Sequence, residues 1–277
     1  SLSTMGRILE IWTETHGLDQ FSEQSYSELT THGEHKSPNE RIDSILNWYE
    51  RINNEPKNEG EALALVKLCS SILAALGKAN GDMHLEDKGR HVNVQKDAKI
   101  ILDRIISVST AFENKTFLGP DTFNAYIRCL DRENPARSAE SAENLLKSML
   151  SNEKMNGFNL PLPNVGTYNA VLGLWALVEG DKGQSCANRV YSLLEAASTG
   201  SEDEISLRPN KETFKTLLSA NSKKDGKFSF EQAKFWLHSF HSLIPDEDVF
   251  GAALSTLSIN ANSNPADPRY ANSWISS

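Results

Sequence analysis

The sequence predicts an all-α fold, an α-solenoid in which antiparallel helix pairs stack into a right-handed superhelix. Three observations carry this expectation. The phrase Pro163-Asn164-Val165-Gly166-Thr167-Tyr168-Asn169-Ala170-Val171-Leu172 recurs along the chain. Thr122-Phe123-Asn124-Ala125-Tyr126-Ile127 is one copy, Pro209-Asn210-Lys211-Glu212-Thr213-Phe214 a second, and Pro245-Asp246-Glu247-Asp248-Val249-Phe250 a third. Every second helix then carries the same four-residue apolar ladder at i, i+3, i+4, i+7. Finally, no segment shows the alternation of a strand. A helix pair alone cannot bury its ladder, whereas stacked pairs bury it continuously.

Each element follows from its pattern. Residues 4–16 read as a helix with Met5, Ile8, Leu9 and Trp12 on one face, ended by Gly17. Residues 22–32 follow, then 39–52 with Ile42, Ile45, Leu46 and Tyr49 as a stripe. The break Asn53-Asn54-Glu55-Pro56 precedes a helix over 60–79, and the polar run from Gly81 to Val92 reads as a loop. Residues 94–110 carry Ala98, Ile101, Leu102 and Ile105. The pairs 121–131 with 137–151, 166–178 with 184–197, and 211–221 with 229–242 come next, and 247–258 begins another. Their ladders are Ala142, Leu145, Leu146 and Met149; Ala187, Val190, Tyr191 and Leu194; and Ala233, Trp236, Leu237 and Phe240. A short helix through Tyr270 and Trp274 closes the series. In each strong copy, proline stops the preceding helix and threonine is the expected cap of the next. The connections 152–162 and 199–207 read as loops, the second exposed and mobile. The chain reads as one helical-repeat domain over 1–277, of about six units. The strongest are 120–164, 165–210 and 211–246.

Composition narrows the function classes. The chain has 277 residues, 39% hydrophobic and 23% charged, ordinary for a folded protein. The uninterrupted apolar run Ala170 to Val178 is far shorter than the ~20 residues of a bilayer-spanning helix. Cys69, Cys129 and Cys186 are odd in number and far apart, which argues against a disulfide framework. The net charge of −9 opposes binding to a polyanion. The first residue is Ser1, so the chain reads as cut from a longer one, and a targeting peptide would precede it. His238 with His241, and His32 with His35, share a ligand-like spacing but lack further ligands, so no metal is expected. The stretch Asn221 to Gln232 imitates a calcium loop around Gly226. Lys223 occupies a ligand position and Gln232 replaces the terminal glutamate, so it reads as an inter-helix turn. No nucleophile elbow or phosphate-binding glycine loop is visible, so no catalysis, cofactor or small-molecule substrate is expected.

Thr167-Tyr168-Asn169, the upstream Pro163-Asn164, the ladder Ala142 to Met149 and the run Ala75-Leu76-Gly77-Lys78-Ala79 together resemble the pentatricopeptide-repeat family. The aromatic residues are spaced by 46 from Tyr168 to Phe214 and by 36 from Phe214 to Phe250. The family repeat is about 35 residues, so the units read as expanded copies. The likeness is closest over 120–257. A tetratricopeptide array ranks second, because its first-helix Trp-Leu-Gly-Tyr pattern is missing.

The resemblance implies non-enzymatic, sequence-selective binding of single-stranded RNA, one base per repeat, in organellar RNA metabolism. The base-reading residues would be Ser27, Ser70, Asn124, Asn169 and Lys215 after the aromatic position, with Asn164, Asn210 and Asp246 at the ends of units. Asn124 would pair with Asn164, and Asn169 with Asn210, a combination that favours cytosine in the family. The implied location is a mitochondrion or plastid, with no membrane partner. Asp121, Gly166, Glu212 and Asp248 depart from the family, which usually places a larger apolar residue there. Only Lys78, Arg132 and Lys223 stand where a cation would meet phosphate. Two alternatives remain open. One is a protein-binding scaffold or subunit of a large organellar assembly; the other is the repeat arm of a longer RNA-processing enzyme.

Overall fold

The computed structural model describes residues 37–51, 55–82, 90–112, 118–198 and 207–222. The helices expected over 4–16, 22–32, 229–242 and 247–258, the short helix expected through Tyr270 and Trp274, and all but the last residue of the loop expected over 199–207 lie outside these residues, as do both histidine pairs. The described residues are predominantly helical, and so all-α in class. In order they form α1 Pro38–Arg51, α2 Glu59–Asp82, α3 Arg90–Ala111, α4 Pro120–Arg128 and α5 Pro135–Leu150. A hairpin of β1 Lys154–Met155 and β2 Phe158–Asn159 follows, then α6 Val165–Trp175, α7 Gly180–Ser198 and α8 Lys211–Ser222. The chain divides into two compact units, Ser1–Ala170 and Val171–Ser277.

In the first unit α2 is the central helix and packs against α1, α3 and α4. Its buried residues include Leu65, Val66, Leu68, Cys69, Ile72, Leu73 and Leu76. By length and composition α2 could cross a bilayer, but more than half of its apolar window is buried within the protein, as in a core helix. The ladders on α3 and α5 are buried, with Ala98, Ile101, Leu102, Ala142, Leu146 and Met149 all at 0% exposure. In the second unit α7 packs against α8. Ala187, Val190, Tyr191 and Leu194 are buried along α7, and the Tyr191 ring meets Phe214 with centroids 6.4 Å apart.

Five helix ends differ from the sequence reading by three or four residues: α2 ends at Asp82 rather than 79, α3 begins at Arg90 rather than 94, α4 ends at Arg128 rather than 131, α6 ends at Trp175 rather than 178, and α7 begins at Gly180 rather than 184. The segment Gly81 to Val92 is not wholly loop, because α2 runs on to Asp82 and α3 begins at Arg90. Asn80, just past the expected helix end at 79, is fully buried. Its Nδ2 donates to the carbonyls of Arg128 (3.0 Å) and Leu130 (3.2 Å) beyond the end of α4. A side chain on α2 thereby satisfies carbonyls that the end of α4 leaves open.

The second correction concerns sheet content, which was expected to be nil. Residues 152–162 contain a two-stranded antiparallel hairpin pairing Met155 with Phe158 and Lys154 with Asn159. Its turn is Asn156-Gly157, both with positive φ (50° and 83°), the backbone that an Asn-Gly hairpin turn requires. Only Phe158 and Leu160 alternate inward, at 4% exposure each, a period too short to stand out in sequence. The hairpin docks on α3, where Asn156 Nδ2 donates to Asp103 Oδ1 at 3.4 Å.

All three cysteines are free and buried. Burial pushes the Cys69 thiol up to about 11, against the opposing pull of the Arg104 cation. Burial raises the Cys129 thiol further still, and its Sγ–H points at the Leu73 carbonyl oxygen 3.5 Å away. Folded thiols that keep their protons leave stability intact below the unfolded value of about 8.5. Above that value the unfolded chain ionises first, so stability falls as pH rises towards 11. We expect the urea midpoint to drop between pH 8 and pH 10. At pH 8 Ellman's reagent should leave Cys69 and Cys129 unmodified in the native protein and label them after unfolding. A rising midpoint, or rapid native labelling of these two, contradicts this account.

Candidate nucleic-acid interface

The recurring phrase folds as a helix start whose cap lies three residues before the threonine that the sequence suggests. Threonine is not the cap. Asn164 precedes α6 as its N-cap, and its Oδ1 accepts from the Thr167 backbone N–H at 3.1 Å. In return Thr167 Oγ1 accepts from the Asn164 N–H at 3.1 Å. Asn210 and Thr213 repeat both bonds, each at 3.1 Å, at the start of α8. Two open backbone donors are satisfied reciprocally, as in a capping box. The asparagine carbonyl is the better match because an amide can accept at N3 while its NH2 stays available to a neighbour. Thr167 and Thr213 are both fully buried.

The start of α4 differs. Gly119 occupies the cap position with no side-chain bond, and Pro120 follows. Thr122, third in the helix, instead pairs its hydroxyl with Ser70 Oγ on α2 at 2.9 Å. Ser70, expected to read a base, is thus half-buried in the contact between α2 and α4. The aromatic position is core in the three described copies, with Phe123, Tyr168 and Phe214 at 1% exposure or less.

The asparagine after the aromatic ring takes part in a network that joins two copies of the phrase. Asn124 on α4 and the Asn164 cap, 40 residues apart, meet with Asn124 Nδ2 donating to Asn164 Oδ1 at 2.9 Å. Asp121 holds both. Its Oδ1 accepts from Asn164 Nδ2 at 2.9 Å and from Asn124 Nδ2 at 3.3 Å. A carboxylate only accepts, so it turns both amides with their NH2 groups towards it. Asn164 Oδ1 is then filled by Asn124 Nδ2, the Thr167 N–H and the Thr167 hydroxyl, the last at 3.2 Å. Asn124 Oδ1 is left buried without a partner among the described residues.

Gly166 makes the network possible, because a Cβ there would sit 2.9 Å from Asn124 Nδ2 and 3.1 Å from Asn164 Oδ1. The sequence reading counted Gly166 and Asp121 as departures from the family pattern. In the fold they are the spacer and the clasp of the asparagine pair. The available signal was their position beside the pair, since only the smallest residue admits an amide at that distance.

The other expected site residues are placed as follows. Asn169 is buried on α6, at 3% exposure, and Asn210 is half-buried at the α8 cap. They belong to the first and second unit respectively. Lys215 is exposed on α8. Ser27 and Asp246 lie outside the described residues.

Of the expected phosphate-facing cations, Lys78 is exposed on α2, and Lys223 lies outside the described residues. Arg132 is half-buried, with its Nε lacking a partner among the described residues. Burial lowers its pKa, against the stabilising charge of Asp82. Among the described residues no group of three His, Cys, Asp or Glu side chains could hold a metal. No family model, no curated protein and no solved structure matches the chain.

Proposed function

We propose that the chain is a non-enzymatic, pentatricopeptide-like α-solenoid that binds single-stranded RNA, as a repeat protein of a mitochondrion or plastid. One observation carries the reading: Asn124 and Asn164, from opposite ends of one repeat unit, converge to 2.9 Å beside the start of a helix. A one-base-per-unit reader needs two such side chains at one point. The repetition of the Asn-Thr cap at Asn210 and Thr213 supports a modular array of such units. Binding is weak on this reading, since the net charge is −9 and few cations are available to neutralise phosphate.

The test is a fluorescence-anisotropy titration at fixed low salt with matched single strands. A strand carrying a CC step is expected to bind better than AA or GG strands. The difference is on the order of 1 kcal/mol per base, the net worth of a neutral hydrogen bond. Asn124→Ala keeps the Asn164 cap and removes one amide, so it should erase the preference at one base. An Asn164→Asp variant is less clean, because a second carboxylate would stand where Asn164 Nδ2 now donates to Asp121. Equal affinity for every strand, unchanged by Asn124→Ala, would leave only non-specific adhesion.

A protein-binding scaffold is the second reading. The exposed Asp121 carboxylate at the mouth of the pair and the acidic balance favour it, as both suit a basic partner better than a polyanion. The absence of binding to any strand by folded protein selects it.

A further inference from the structure

We infer that Asp121, through its outward carboxylate oxygen, is the residue that distinguishes cytosine from uracil at this point of the chain, and that Asn124 and Asn164 act by holding it. The inference rests on the single-stranded RNA reading above. Asp121 sits in the first turn of α4 and is exposed. Its Oδ1 is engaged twice, by Asn164 Nδ2 at 2.9 Å and by Asn124 Nδ2 at 3.3 Å. Its Oδ2 carries no hydrogen bond among the described residues, while two donors on the other oxygen fix the plane of the carboxylate.

The asparagines have little left to offer a base. Asn124 Nδ2 spends its two hydrogens on Asp121 and Asn164, Asn164 Nδ2 gives one hydrogen to Asp121, and Asn164 Oδ1 already accepts from Asn124 and Thr167. Asn124 Oδ1 is unpartnered but buried, with Asn124 only 4% exposed. The acceptor that meets a ligand is therefore the second oxygen of Asp121.

A carboxylate oxygen can only accept. Cytosine presents an amino group at its 4-position, and carboxylates take that donor in base recognition generally. Uracil has a carbonyl at the same place, so two acceptors would face each other without a proton between them. A residue that looks unfavourable for RNA because of its charge is thus, at this geometry, a selector for an amino-bearing pyrimidine. The same oxygen does nothing for backbone affinity, so its effect lies in the ratio between strands rather than in the strength of binding.

The experiment compares oligocytidine and oligouridine of equal length by anisotropy, with wild type, Asp121→Asn and Asp121→Ala. Circular dichroism and urea midpoints check that each variant is folded. Wild type should prefer the cytidine strand about tenfold, the scale of one hydrogen bond to a charged group. In Asp121→Asn the amide can turn to accept or donate, so the ratio should shrink to within about twofold. Asp121→Ala, which keeps neither property, should also lose the ratio while binding both strands at least as well, one negative charge having gone. If wild type favours cytidine and both variants keep that ratio, the assignment to Asp121 is overturned while the RNA reading stands. Equal wild-type binding of both strands also overturns it. Failure of wild type to bind either strand overturns the RNA reading, and this inference with it.

Discussion

Replacing Phe214 with alanine is expected to cost about 3–5 kcal/mol, the usual range for a fully buried phenylalanine. The side chain is at 0% exposure on α8, and its ring lies against Tyr191 of α7 at 6.4 Å and a tilt of 49°. Two losses combine: the apolar surface withdrawn from water and the tilted aromatic contact, worth about 0.5–1.5 kcal/mol beyond area. Lys215→Ala is the control on the same helix. Lys215 is exposed, so its removal should stay within about 0.5 kcal/mol of wild type. Urea unfolding followed by circular dichroism reads both. A Phe214→Ala midpoint equal to that of Lys215→Ala would mean that the α7–α8 contact contributes nothing to stability.

Leu146→Ala should cost about 2–5 kcal/mol. Leu146 is fully buried, the middle rung of the stripe Ala142, Leu145, Leu146 and Met149 on α5. The spread reflects how far the neighbours relax into the cavity, and rungs fixed at both ends by buried residues relax little. Asn144, exposed on the same helix, supplies the control. An unchanged midpoint for Leu146→Ala would show that the stripe does not face a core.

Leu146 illustrates what was legible in the chain: a period of 3–4 residues can be read without knowing what covers it. The ladders on α3, α5 and α7 were identifiable because burial enforces that period, and the proline and asparagine before α6 and α8 mark where those helices begin. The division of labour within the repeated phrase was less visible. Thr167 and Thr213 looked like caps because threonine commonly is one. The geometry assigns the cap to Asn164 and Asn210 because the helix starts one residue after each, and an exchange of two bonds fits only that register.

The sequence by itself determined the helical class, the approximate position of each described helix, the buried ladders on α3, α5 and α7, and the unpaired state of the three cysteines. These depend on local pattern, on side-chain size and on count. Tertiary structure alone decided the rest. The end of α2 depends on where Asn80 finds the carbonyls of Arg128 and Leu130, a contact across some 50 residues. The hairpin depends on a two-residue turn and on α3 beneath it. The meeting of Asp121, Asn124 and Asn164 depends on two helix starts being brought side by side, with Gly166 leaving room. Local propensity is a sum over neighbours in sequence. A hydrogen-bond network among distant residues exists only once packing has set the distances.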